Sequence, residues 1–304
     1  MAVLTYCRLR IWRLETLDAV RDAPDGSFVD VDGLRIHYQA FGSGPPLVFI
    51  HGFAGSTYSW RLNTEPLGRS FRTYSLDLPG FGYSERTARP LYDSASQARV
   101  VKGFLEAVGE RYPAAMVGSS LGCGVAVRFA LDNPHEASAL ILVAPALDIQ
   151  IPWTRLRQLF AVPVLGRQLA AVIYYLALAN PRSLDRFLAA AYGDKADGVT
   201  AQMREAMLRP VRVRGTALSA LGLARSMEAG HLEDALAKLR VPVMFVAGAE
   251  DRAVSLASVR RLHRRIPQSR LLIFDTGHLV QEEAATEFNE AVAEFLNEAS
   301  GAVK

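Results

Sequence analysis

Cysteine is nearly absent: Cys7 and Cys123 are the only two in 304 residues, far apart and in no CxxC pair. That excludes a disulfide framework and leaves no Cys/His cluster for zinc or iron–sulfur, so neither metal nor cofactor is expected. A chain so poor in cysteine suits a reducing compartment, and the expected location is the cytoplasm. No uninterrupted apolar run reaches the ~18 residues of a membrane span. Charge of one sign is also scarce: the net excess is +3. With no basic block interleaved with aromatics, nucleic acid is not an expected partner. The N-terminal stretch MAVLTYCRLRIWRLETL is not expected to be a secretory signal, because Arg8, Arg10 and Arg13 interrupt its apolar stretch.

Hydrophobic residues make up 50% of the chain, enough for a sizeable core. Leu4, Cys7, Ile11, Leu14 and Asp18 stand at helical spacing, so residues 1–26 read as an N-terminal helical segment. Two readings stay open for it: packing on the body or on a second copy, or lying on a membrane surface. In FVDVDGLRIHYQAFG, Asp32-Gly33 is a hairpin signal between two alternating runs. Further strands are expected at 46–50, 71–77, 114–118, 139–144, 241–248 and 270–275, eight in all. Helices are expected at 93–112, after Ser120, at 255–266 and at 282–298. Strands alternating with helices specify a mostly parallel sheet covered on both faces, an α/β fold. Residues 146–238 carry only helical patterns, too long for an ordinary connection. They read as an inserted helical cap, holding 12 basic and 8 acidic residues. The core is then 27–145 and 239–304.

Residues 117–124 read VGSSLGCG. Gly118, Ser120 and Gly122 satisfy Gly-x-Ser-x-Gly; Ser119 does not. With a strand before and a helix after, the pattern describes a tight turn that lifts Ser120 to the carboxyl end of the sheet. A hydroxyl is a weak nucleophile and needs a base. Of the six histidines, His278 stands directly after the strand RLLIFD, where sites gather in such sheets. His37 lies inside a strand, His135 at the far end of the helix after Ser120, and His231 and His263 on polar helical segments. The base needs a carboxylate to fix its tautomer. Asp251, after the strand at 241–248, is the candidate, with Glu250 beside it and Asp148 as the outside alternative.

The order Ser120, Asp251, His278 is that of the α/β-hydrolases. HGFAGSTYSW (51–60), DLPGFGYSER (77–86), GSSLG (118–122), GAED (248–251) and GH (277–278) resemble that superfamily's successive landmarks over residues 27–298. The insertion sits where such enzymes carry a lid or cap. The resemblance implies that the residue after His-Gly, Phe53, and the residue after the nucleophile, Leu121, supply the oxyanion-hole N–H groups. It also implies that His51 and Asp77 are structural. Haloalkane dehalogenases and epoxide hydrolases use an Asp at this turn, so Ser120 argues against both. The chain is most similar to bacterial carboxylesterases and monoacylglycerol-type lipases, implying a small-molecule ester as substrate. Carbon–carbon bond hydrolases usually show Gly-Asn-Ser-Met-Gly-Gly and Gly-His-Trp, where this chain has GSSLGC and GHLVQ. Other readings are a cofactor-free perhydrolase and a hydrolase-fold binding protein without activity. The uncharged run LAAVIYYLALA (169–179) is too short to span a membrane. It packs the cap on the core or forms an apolar wall, to which Trp153, Phe160, Tyr174, Tyr175, Phe187 and Tyr192 are candidate contributors.

Overall fold

The computed structural model describes residues 15–87, 89–111, 113–147, 181–192, 198–226 and 232–301. Eight strands form one sheet: β1 (Ser27–Val31), β2 (Leu34–Phe41), β3 (Pro46–Ile50), β4 (Arg72–Leu76), β5 (Ala114–Ser119), β6 (Ala137–Val143), β7 (Val243–Gly248) and β8 (Arg270–Phe274). Their order is β1-β2-β4-β3-β5-β6-β7-β8. β2 runs antiparallel to β1 and β4; every other pairing is parallel. Asp32 (φ 52°) and Gly33 (φ 75°) both take left-handed backbone, the conformation that closes a two-residue hairpin between β1 and β2.

The described α-helices are α1 (Thr64–Leu67), α2 (Ser94–Ala107), α3 (Leu121–Asp132), α4 (Pro181–Tyr192), α5 (Ala201–Leu208), α6 (Thr216–Ser226), α7 (Leu232–Ala235), α8 (Leu256–Arg264), α9 (Val280–Glu283) and α10 (Ala285–Gly301). The apolar run PLVFI of β3 divides by its period of two. Val48 and Ile50 join a core with Phe104 of α2, Phe129 of α3 and Leu262 of α8. Leu47 and Phe49 join the opposite core with Leu67 of α1 and Phe288 and Phe295 of α10. Each such side chain, fully buried, contributes about 1.5–3 kcal/mol, which is why the central strands read as continuous apolar runs.

Several boundaries differ from the sequence expectation. The helix expected over 93–112 ends at Ala107, because Gly109 turns the chain at φ 75°. The closing helix is two pieces, α9 and α10, parted at Ala284. β7 begins at Val243, after Pro242.

The helix expected to run through Asp18 does not reach it. Leu17 forms a parallel bridge with Val213, its N–H donating to the Arg212 carbonyl and its carbonyl accepting from Arg214 N–H. Those groups are thereby spent between segments instead of within a helix. Residues 1–14 lie outside the described residues, as do 148–180, which hold Asp148, Trp153, Phe160, Tyr174, Tyr175 and the run at 169–179. His231 lies outside them too. Among the described residues no helix is long and apolar enough to cross a membrane.

Candidate active site

Ser120 stands between β5 and α3 with φ 53° and ψ −113°. A non-glycine residue there is strained by roughly 1–3 kcal/mol, held by its surroundings. The two flanking glycines are part of that hold. A Cβ on Gly118 would come within 2.6 Å of the Gly122 carbonyl, and one on Gly122 within 2.6 Å of the His51 carbonyl. The turn is anchored by Ser120 N–H donating to Val143 O at 2.8 Å and by Cys123 N–H donating to Ser120 O at 3.1 Å. Cys123 is fully buried, and burial pushes its thiol well above the usual range, so it stays an inert thiol beneath the turn.

Asp251 and His278 follow β7 and β8. His278 Nδ1 lies 2.7 Å from Asp251 Oδ2, with the two side chains 9% and 1% exposed. A carboxylate only accepts, so Nδ1 carries the proton and Nε2 is left with its lone pair. The other oxygen, Oδ1, accepts from the N–H groups of Ala253 (2.7 Å) and Val254 (2.9 Å). Glu250 beside it is exposed.

Ser120 and His278 line one cavity of about 200 Å3. No hydrogen bond within 3.5 Å joins them among those of the described residues; catalytic contacts commonly tighten only when substrate is bound. Phe53 also lines this cavity, with its side chain 41% exposed. The N–H groups of Phe53 and Leu121 donate to no backbone acceptor among the described residues. The Phe53 loop lies against the turn: a Cβ on Gly52 would sit 3.2 Å from Ser120 Cβ.

Buried hydrogen bonds brace the loops around the cavity. Asp77 and His37, both fully buried, meet at 2.8 Å. Asp77 also accepts from Thr57 N–H (2.6 Å) and Tyr83 N–H (2.7 Å), tying the loops after β3 and β4 together. Burial alone would raise its carboxyl; His37, His51 and the Tyr83 N–H outweigh that and hold it below the usual range. His51 Nδ1–H donates to the Gly52 carbonyl (2.7 Å), while Leu78 N–H donates to His51 Nε2 (3.1 Å). Burial lowers the His51 pKa, which keeps this ring neutral. His263 instead lies 2.7 Å from Ser269 Oγ, and His135 is exposed.

Three features escaped the sequence reading. Met207, Leu208, Val211 and Leu279 join Phe53 and Ala54 in the apolar part of the cavity wall. Tyr192, a candidate for that wall, does not line it: its hydroxyl donates to Glu282 Oε2 at 2.7 Å. Glu282 also pairs with Arg61 at 2.7 Å, and its side chain is 3% exposed. Burial pushes its carboxyl above the usual range, against the pull of Arg61. The third feature is the carbonyl of Ala191, which accepts from His278 N–H at 2.6 Å, so α4 rests on the loop that carries His278. In the sequence Glu282 shows only as a polar residue on a short helix, which ordinarily means a solvated face.

The family model described as the alpha/beta hydrolase fold matches residues 45–285. A pimeloyl-[acyl-carrier protein] methyl ester esterase of Vibrio campbellii is 28% identical, over 79% of this chain and 90% of the relative. A 2-hydroxy-6-oxononadienedioate/2-hydroxy-6-oxononatrienedioate hydrolase of Dechloromonas aromatica is also 28% identical, over 92% and 98%. Among solved structures, a thermophilic esterase from Thermogutta terrifontis superposes with a TM-score of 0.75 at 22% identity, covering 91% of this chain and 99% of that one. With the match spanning most of the sheet and the turn at Ser120, the chain belongs to the α/β-hydrolase fold family.

Proposed function

We propose that this hydrolase cleaves carboxylic esters with an apolar acyl group through an acyl-enzyme. The observation that carries the reading is Ser120, on a strained turn, sharing a cavity wall with a histidine whose Nδ1 is held by a buried aspartate. Ser120 Oγ attacks the ester carbonyl while His278 Nε2 takes its proton. The N–H groups of Phe53 and Leu121 stabilise the oxyanion. His278 then returns the proton to the leaving alcohol. Water, deprotonated by the same nitrogen, releases the acid and restores Ser120. Asp251 keeps the ring oriented and stabilises its charged form. Residues 146–238 serve as the cap, with Met207, Leu208 and Val211 on its inner side.

The carbon–carbon bond hydrolase reading gains support from the Dechloromonas relative's name. The cavity lining weighs against it. Among the described residues, those that line it include Glu282, whose carboxylate is unfavourable to a dicarboxylate of ring fission, and no lysine or arginine. A neutral ester meets no such obstacle.

A panel of p-nitrophenyl esters of graded chain length, run beside a vinylogous diketone acid, tests the proposal. Medium-chain esters should exceed acetate in kcat/KM, each buried methylene adding about 0.8 kcal/mol at most. Faster turnover of the diketone acid than of any ester would overturn the reading.

A further inference from the structure

Asp251 orients the ring of His278, but the distance of that ring from Ser120 depends on where the loop of residues 276–279 lies. The loop is held from two sides. Towards the sheet, Glu250 N–H donates to the Thr276 carbonyl at 3.0 Å and Ala249 N–H to the Phe274 carbonyl at 2.8 Å, which ties it to the end of β7. On the other side lies the last turn of α4, where helix carbonyls have no intrahelical N–H to meet. The Ala191 carbonyl accepts the His278 N–H at 2.6 Å. Gly277 permits the approach, since a Cβ there would come within 2.4 Å of the Ala191 oxygen. Leu279 packs on the cluster formed by Leu188, Ala191 and Tyr192. The base and both its chain neighbours thus rest on α4.

The end of α4 is itself fastened. Tyr192 is buried, and its hydroxyl donates to Glu282 Oε2 at 2.7 Å. Burial and the adjoining Glu282 carboxylate push that hydroxyl above its usual range, so it stays a donor. Glu282 pairs with Arg61 at 2.7 Å, and the Arg61 guanidinium donates to the Tyr58 carbonyl at 3.1 Å, in the turn at Thr57–Trp60. The run Tyr192, Glu282, Arg61 joins α4 to α9 and to that turn. An aromatic ring alone would fill the place; the hydroxyl adds direction.

We propose that Tyr192 is a positioning residue for His278. By fastening the end of α4 to Glu282, it holds the Ala191 carbonyl against the His278 N–H and sets the imidazole at the distance from Ser120 that proton transfer needs. Tyr192 does not line the cavity; it acts through Ala191 and His278. This rests on the reading of Ser120 and His278 as nucleophile and base, and adds that a residue of the proposed cap places the base.

The test is Tyr192→Phe, which removes one hydroxyl and keeps the ring in its cluster. Glu282 stays paired with Arg61, so no buried charge is left alone. Misplacing reacting groups by about 1 Å can cost about a hundredfold. With the ties to β7 intact, kcat on a soluble ester should fall about tenfold while KM changes less than about twofold. Fluorophosphonate labelling of Ser120 should slow by the same factor. Tyr74→Phe is the control. The Tyr74 hydroxyl also donates to a buried-side carboxylate, that of Glu110, but lines no part of the cavity. Its kcat should stay within about twofold of wild type, whatever the melting temperature does. A kcat changed less than about threefold in folded Tyr192→Phe overturns the assignment, as does a fall in kcat with labelling unchanged. A second measurement needs no variant. In the wild type the His278 amide should exchange its hydrogen no faster than the amides in the last turn of α4, and exchange at the rate of an unprotected amide overturns the proposal. An active wild type whose Tyr192→Phe form is unchanged defeats only the role of Tyr192; a wild type that takes no label defeats the reading of Ser120 with it.

Discussion

Asp251 uses both carboxylate oxygens at once: Oδ2 meets His278, and Oδ1 takes two backbone N–H groups. The backbone bonds fix the carboxylate, and the carboxylate fixes the ring. Asp251→Asn keeps the shape but allows the amide to donate to Nδ1, favouring the wrong tautomer. It should lower kcat by about 10⁴-fold with folding intact, as in other triads. Glu250→Gln, at an exposed carboxylate one residue away, should change kcat less than twofold. Steady-state rates on one soluble ester check both, and a crippled Glu250→Gln would mean the acid is wrongly assigned. The placement of Ser120, His278 and Asp251 was legible because it is marked locally, by glycine spacing at a strand end and by position after β7 and β8. That of Gln281 and Glu282 was not. In GHLVQEEA they read as the polar side of a short helix, and only the packing of α9 against the Thr57–Trp60 turn buries them.

At the scale of elements, the central strands were legible because burial on both faces forces short apolar runs bounded by turn residues. The approach of residues 15–18 to α6 was not. Glu15 accepts from Gly215 N–H (3.0 Å) and Ala217 N–H (2.8 Å), so it caps the start of α6 from about 200 residues away in sequence. Local helical spacing carries no sign of such a partner, and Leu17 pairs with Val213 instead of continuing a turn. Replacing the carboxylate leaves two helix-start N–H groups without an acceptor, a loss of about 1 kcal/mol. Glu15→Ala should therefore lower the melting temperature by about 2 °C. Glu15→Gln, keeping one acceptor oxygen, should lose less. An unchanged melting temperature in Glu15→Ala would show that the contact contributes nothing.

The whole molecule should be sensitive to acid in a definite order. His51 is neutral in the fold, with Nδ1–H donating and Nε2 accepting; a proton on Nε2 would point at the Leu78 N–H. Its folded pKa is below the ordinary 6.5. As pH falls past 6.5 the unfolded chain takes up a proton that the folded chain refuses, so stability drops. Asp77 acts in the same sense lower down. Its folded pKa is below the ordinary 3.8, so the stability it contributes is present above that value and lost as pH falls through its folded pKa. Melting temperature should be level above about pH 7 and decline from about 6.5 downward, with a further fall below about 4. His51→Asn, less stable at neutral pH, should lack the first decline. A stability that rises between pH 7 and 5 would contradict this account of His51.

The proposed ester cleavage turns on Ser120 as the nucleophile, activated by His278. A fluorophosphonate probe reacts with an activated serine and can be located by mass spectrometry of the digested protein. One label per chain is expected, on the peptide carrying Ser120, absent in Ser120→Ala and greatly slowed in His278→Ala. An ester-hydrolysing protein that carries no label, or carries it on another residue, would show that Ser120 is not the nucleophile.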